Sequence, residues 1–416
     1  GISNGEFGLP PEALVAIRSG SGARLEDSEG RAFIDFSMGW GSALVGHACP
    51  EVVEAVVRQA PLGSNFAYLN EHALALAEEI RRVSPAAEQL RFCASGTEAT
   101  MYCKRLARAF RGRPKILKFE GAYHGANEAG VTSLFPSRNL PFPQPERTSA
   151  GTPSVEAELL VAPYNDLART ESILRAHREE LAGIIMEPLQ RCTPPEPGFL
   201  AGIRALATEL DLVLIFDEVV TGFRLAYGGA QEYYGVVPDL VAYGKALGGS
   251  YPIGAFGGRR DIMAQVSEHT IGDPGYVWMA STLGGNPIST AAANAALSVL
   301  RRPGTYSRLH ALGASFREQI RTVLRDRQVV AQVIGDGPLA QIVFTPDPVN
   351  DYRSTARGDK VRARRMMLGL FRRGVFINPM GTKLYLSLAH DEALCGEFCG
   401  RLDETLEQDV LAAAAA

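Results

Sequence analysis

The stretch "LVLIFDEVVTG", residues 212–222, carries five apolar side chains in a row and then two carboxylates, Asp217 and Glu218. An unbroken apolar run of this length reads as a strand covered on both faces, as in the middle of a parallel sheet. A carboxylate at the end of such a strand is costly to bury unless it is paired. The two acids therefore mark either a functional edge or a place where local backbone needs acceptors.

Outward from this run the same texture repeats. Short apolar segments, "LRFCA" (90–94), "KILKF" (115–119), "ELLVAP" (158–163), "GIIMEP" (183–188) and "PIGAFGG" (252–258), predict further strands. Amphipathic stretches such as 98–112 and 200–211 lie between them and predict helices. Such alternation predicts an α/β fold: a doubly wound, mostly parallel sheet with helices on both faces and ligands beyond the carboxyl ends of its strands. The chain ends differ in texture. Residues 22–36 read as a hairpin turning at "DSEG". From 305 onward come a long helix, a strand near 340–345, a basic helix over 360–373 and the strand "KLYLSL" (383–388). These ends predict a smaller α+β domain built from residues 1–40 and 305–416, beside a large domain over 41–304. The Pro- and Ser-rich segment 133–153 predicts a loop near the site.

Bulk composition narrows the function. Lys plus Arg total 42 against 46 for Asp plus Glu, with no long run of either sign. That balance argues against nucleic-acid or membrane-surface binding through a basic field. No apolar stretch is long enough to cross a bilayer. The six cysteines (49, 93, 103, 192, 395, 399) are scattered, and no second pair joins Cys395 and Cys399 into a zinc set. With no secretory signal pattern, the expectation is a cytoplasmic protein with reduced thiols and no metal.

Two segments carry chemistry. In "ASGTEATMYCKRLARAF" (94–110) a strand ends and Ser95-Gly96-Thr97 opens a helix. Free N–H groups and two hydroxyls at a helix N-terminus suit a phosphate, although the same tripeptide also serves as a plain helix cap. In "PDLVAYGKALGGSYPIGAFGG" (238–258) Lys245 sits among glycines and apolar residues. Small neighbours let a ligand approach, and desolvation lowers an amine's pKa toward nucleophilicity. A lysine, an acid and a phosphate cradle together are the three anchors of pyridoxal 5′-phosphate.

With those residues in place the chain resembles the class III, fold-type I pyridoxal-phosphate-dependent aminotransferases, and is most similar to the glutamate-1-semialdehyde aminomutase branch. The matching segments are "SGTEATM", "KFEGAYHG", "IIMEP", "LIFDEVVTGFR", "GKALGG", "YPIGAFGGRRDIM" and "STLGGNP", in family order over residues 30–300. The resemblance implies that Lys245 forms the Schiff base and moves the proton at Cα. It implies that Asp217 pairs with the ring nitrogen, that Val219 lies on one ring face and that Tyr123 stacks on the other. Ser95, Gly96 and Thr97 would form the phosphate cup. Thr282 would reach the phosphate of a neighbouring subunit, which implies a homodimer with shared sites. Glu187 and Gln190 match positions near the phenolic oxygen, while His124 and Trp40 either line the pocket or pack. Glu218 either orients the site or caps backbone.

The departures from the aminomutase fall on the substrate side. Phe7 is the nearest counterpart of an arginine in its opening segment, and Thr382-Lys383 replace an acidic residue in its "P-S-x-F-E-A" segment. Arg191 and Lys383 either receive a substrate carboxylate or are surface charges. The expected reaction is transfer of an amino group between a small-molecule amino donor and a keto acid, aldehyde or ketone by a ping-pong route. Intramolecular aminomutase chemistry is the alternative, with racemisation behind it.

Overall fold

The computed structural model describes residues 9–151, 155–378 and 382–414. Its centre is a seven-stranded sheet whose strands, in chain order, are β1 (Gln89–Cys93), β2 (Lys115–Phe119), β3 (Leu159–Ala162), β4 (Leu181–Met186), β5 (Val213–Asp217), β6 (Leu240–Tyr243) and β7 (Gly254–Gly258). They lie side by side in the order β1-β7-β6-β5-β4-β2-β3. The pairs from β6 through β3 are parallel, and β7 runs antiparallel to both β6 and β1. The run that opened the sequence reading becomes β5, near the middle of the sheet, and Val213, Leu214, Ile215 and Phe216 are each 0% exposed. Burying side chains of this size is worth about 1.5–3 kcal/mol each.

The expected doubly wound, mostly parallel sheet is thus the observed one. The expected strands match β1, β2, β3, β4, β5 and β7 to within a few residues. The four-residue β6 was not expected. The predicted helices appear as Gly96–Arg111 and Phe199–Glu209.

This strand order gathers the site. Because β7 is antiparallel to both neighbours, β1 ends on the same edge as β2, β4, β5 and β6. The chain leaves that edge as Ser95–Thr97 after β1, Gly121–His124 after β2, Glu187 after β4, Glu218–Val219 after β5 and Gly244–Lys245 after β6.

A second core joins Ile34 and Phe36 to Phe316, Leu370, Phe398 and Leu402 from far along the chain. Over it lie a four-stranded sheet (Ile17–Ser21, Arg24–Asp27, Ala32–Asp35 and Val375–Phe376) and a three-stranded one (Gln332–Ile334, Leu339–Val343, Lys383–Tyr385). The predicted hairpin forms, and Asp27 Oδ1 closes its turn by accepting from the N–H groups of Glu29 and Arg31, both at 2.9 Å. Residues 133–151 form a loop without helix or strand. All six cysteines are buried and unpaired. Among the described residues no helix is long and apolar enough to cross a membrane.

Candidate active site

Asp217 ends β5 with its carboxylate 5% exposed. Its Oδ2 lies 2.8 Å from Nδ1 of His124, and its Oδ1 accepts from the Val219 N–H at 3.1 Å. His124 is itself buried, and its Nε2 has no hydrogen-bond partner among the described residues. Burial holds the imidazole's pKa below the ordinary histidine value against the pull of Asp217. The neutral ring therefore donates one hydrogen bond to the acid without cancelling its charge, and the acid remains available to a cation.

Glu218 faces away from this work. It is 0% exposed and accepts from the N–H groups of Ala230 (2.6 Å) and Gln231 (3.2 Å), the Gln231 side chain (3.1 Å) and the Thr221 hydroxyl (3.2 Å). Burial lifts its pKa to about 7 despite these donors. Of the two adjacent acids one serves the site and the other satisfies backbone.

Lys245 follows β6 in a left-handed conformation, φ 44°. Its amine has no hydrogen bond or ion pair among the described residues. Burial lowers its pKa, with Asp217 and Glu187 pulling the other way. Three glycines show how closely the surrounding loops meet. A Cβ on Gly96 would lie 2.8 Å from Val219 Cγ2, and one on Gly244 would lie 3.4 Å from Val219 and 3.6 Å from Gly96. Gly125, at φ +94°, leaves no room for a side chain, since its Cβ would meet Thr97 Cα at 2.7 Å.

Ser95 caps the helix Gly96–Arg111, its Oγ accepting from the Glu98 N–H at 3.2 Å. Thr97 Oγ1 accepts from the Ala126 N–H at 3.3 Å. The capping role of Ser95 and a phosphate role are compatible. Each hydroxyl keeps its proton to donate, and the first-turn N–H groups have no intrahelical acceptor.

On the other flank, Glu187 Oε1 accepts from the Tyr123 N–H (2.9 Å) and Oε2 from the Arg191 N–H (3.0 Å). Burial pushes this carboxyl up, but Arg191, His124, Lys383 and the Tyr123 N–H outweigh it and leave it below its usual range. Arg191 lies over the Tyr123 ring at 5.7 Å. Gln190 spends its amide N–H on the Glu120 carbonyl at 2.7 Å, and its buried Oε1 has no partner among the described residues. The orphaned Gln190 oxygen and His124 nitrogen, the glycine-lined gap and the helix N-terminus are what a polar, planar, phosphorylated group requires. The residues present fit pyridoxal phosphate.

Other expected residues lie further out. Trp40 is half-buried in a run of four left-handed residues, Met38 to Gly41 (φ 48°, 57°, 58° and 79°). This turn packs against both Lys383–Tyr385 and Lys245–Gly248. Lys383 is half-buried, and its amine is pulled to about 7 by burial and then by Arg191. Thr282 is exposed and makes no hydrogen bond among the described residues. Phe7 lies outside the described residues. The sequence reading passed over Lys118, at 1% exposure, and Arg224, whose guanidinium is fully buried, donates to the Val220 and Gly41 carbonyls and has no partner for Nη1 among the described residues. No signal in the sequence marks Lys118, since a charge in a strand such as "KILKF" reads as outward-facing.

Five loops from one sheet edge, converging on a buried acid and an unpartnered lysine, define a fold-type I pyridoxal-phosphate enzyme. The chain belongs to the class-III aminotransferase family: the model described as "Aminotransferase class-III" matches residues 10–406. It is similar to the glutamate-1-semialdehyde 2,1-aminomutase of Pelotomaculum thermopropionicum, 41% identical over 92% of this chain and 87% of that one. Among solved structures it resembles an omega-transaminase from Sphaerobacter thermophilus (36% identity, TM-score 0.88, covering 94% of this chain and 91% of the other). It also resembles a transaminase solved with pyridoxal phosphate bound (30% identity, TM-score 0.88, 99% and 96% covered). The cofactor of this family is pyridoxal phosphate.

Proposed function

We propose that this enzyme is an aminotransferase moving an amino group from a small-molecule amino donor to a keto acid, aldehyde or ketone in two half-reactions. Bound pyridoxal phosphate supplies an aldehyde carbon that condenses with amines and a ring that draws off the electron pair left at the donor's Cα. Asp217, braced by His124 and the Val219 N–H, would hold a proton on the ring nitrogen. Lys245, whose pKa burial lowers, would carry the proton away from Cα. Tyr123 and Val219 would hold the cofactor's ring between them, and the first turn of Gly96–Arg111 would take its phosphate.

The observation that carries the intermolecular reading is Lys383. A cation stands where the resembled aminomutase has an acid, beside Arg191 and the Trp40 turn, while the cofactor-facing residues are retained. We propose that Lys383 and Arg191 receive a carboxylate of the substrate. The aminomutase reading has the likeness reported above in its favour. A panel of amino donors, followed by loss of the cofactor's visible band and its return on adding a keto acid, distinguishes them. Bleaching by donors alone, with recovery by acceptor, supports transfer between molecules. Turnover of glutamate-1-semialdehyde without co-substrate, and no response to the panel, overturns it.

A homodimer completes the proposal. Exposed Thr282 adjoins exposed Leu283, and Asn70 ties this segment to the loop before it by donating to the Gly285 carbonyl at 2.8 Å. That loop leaves Leu62, Phe66, Tyr68 and Leu69 51–84% exposed, an apolar surface of the kind that marks an interface.

A further inference from the structure

Lys118 is the most buried ammonium of the chain with no carboxylate partner among the described residues. Its Nζ points into a ring of backbone carbonyls: Thr132 at 2.5 Å, Ala122 at 3.1 Å, Gly130 at 3.2 Å and Ala129 at 3.4 Å. An ammonium has three N–H donors and a neutral amine only two, so four inward carbonyls favour the charged form against the burial that opposes it. Burial, then Lys104 and Arg191, lower its pKa well below that of a surface lysine. The carbonyl ring stands in place of a counter-ion.

All four carbonyls belong to one segment, a loop that folds back over the end of β2 and includes the short helix Glu128–Val131. That loop carries Tyr123, whose N–H meets Glu187, and His124, which meets Asp217. It also carries Gly125, pressed on Thr97, and Gly130, where an added Cβ would lie 2.2 Å from the Gly125 carbonyl oxygen. Thr100 secures the His124 carbonyl at 2.7 Å, and Lys104 secures Asn127 at 2.8 Å. The Gly121 N–H also reaches the Ser133 carbonyl at 2.8 Å and the His124 N–H the Gly130 carbonyl at 3.4 Å, each joining the two limbs at one point. Lys118 draws four carbonyls from both limbs onto a single group.

We propose that Lys118 is a positioning residue for the cofactor: by drawing the carbonyls of Ala122, Ala129, Gly130 and Thr132 onto one ammonium, it sets where Tyr123 and His124 meet pyridoxal phosphate before the cofactor arrives. This holds for either reaction above, because it concerns binding of the cofactor and not the substrate.

The test titrates apoenzyme with pyridoxal phosphate, reading intrinsic fluorescence for affinity and visible circular dichroism for the cofactor's asymmetric setting. Lys118→Met is expected to raise Kd at least tenfold and to shrink the dichroism. Lys118→Gln, which keeps two N–H donors, restores part of both. In a His124→Ala background the Met substitution should cost less than it does alone, because both lesions act through one loop. Unchanged dichroism with a Kd within twofold of wild type, or full multiplicative losses in the double variant, overturns the proposal. Should the variants fail to fold, hydrogen exchange in the wild-type apoenzyme decides. Amides of residues 121–132 already protected without cofactor support the positioning role, and free exchange there ends it.

Discussion

At the scale of single residues, the two groups at the sheet edge differ in what they can lose. On the proposed mechanism Lys245→Ala removes both the amine that bonds the cofactor and the base at Cα, so the visible band of the purified protein should shift and turnover should fall by at least three orders of magnitude, general-base loss alone costing about 10²–10⁴. Asp217→Asn keeps the shape but not the charge. Cofactor is expected to bind more weakly and turnover to fall sharply, checked by reconstitution and single-turnover spectra. Lys383 supplies a pH prediction. Its amine titrates near 7 in the fold, against about 10.4 for a free lysine. The cation is therefore present below pH 7 and lost as pH rises through it. KM for a carboxylate-bearing substrate should climb across that interval, and in Lys383→Met it should be high and flat. A KM in the variant that still follows the wild-type profile would remove Lys383 from the substrate site.

At the scale of elements, the turn after β5 depends on Glu218. Its carboxyl holds a proton up to about 7 in the fold, while an unfolded glutamate releases it near 4.5. The native state thus binds more protons between those values, and stability falls as pH rises from 4.5 to 7, by about 3 kcal/mol at most. Glu218→Gln cannot titrate, so melting curves at pH 5 and pH 7 should lie closer together than in wild type. Glu218→Ala strands the N–H groups of Ala230 and Gln231 and is expected to cost about 1–3 kcal/mol at any pH. Most strands were legible because a buried parallel strand is an unbroken apolar run. β6 was missed because "LVAY" is four residues long between a proline-aspartate pair and Gly244, too short to stand out. Asp217 could be picked out as a buried acid, but its histidine lies 93 residues away and no spacing rule joins them. Lys118 was illegible for a related reason. A charge in a strand reads as outward-facing until the loop that wraps it is seen.

At the scale of the whole molecule, the apolar surface around Thr282 predicts a dimer that persists on dilution, seen by sedimentation. If Thr282 serves the partner's phosphate, mixing Lys245→Ala and Thr282→Ala chains should create one intact site per mixed dimer, so activity and tight cofactor binding reappear. Within a single chain the two lesions cannot complement. The buried cysteines add a consequence of another kind. Cys93, at the end of β1, and Cys103 share the core packed on the central sheet, whereas Cys395 and Cys399 lie in the core that joins the chain's two ends. Burial pushes the Cys93 and Cys399 thiols up to about 12, so neither reacts while the fold is closed. A thiol reagent added to the native enzyme therefore acts as a clock with two hands, and the order in which these pairs become labelled tells which half of the protein lets go first.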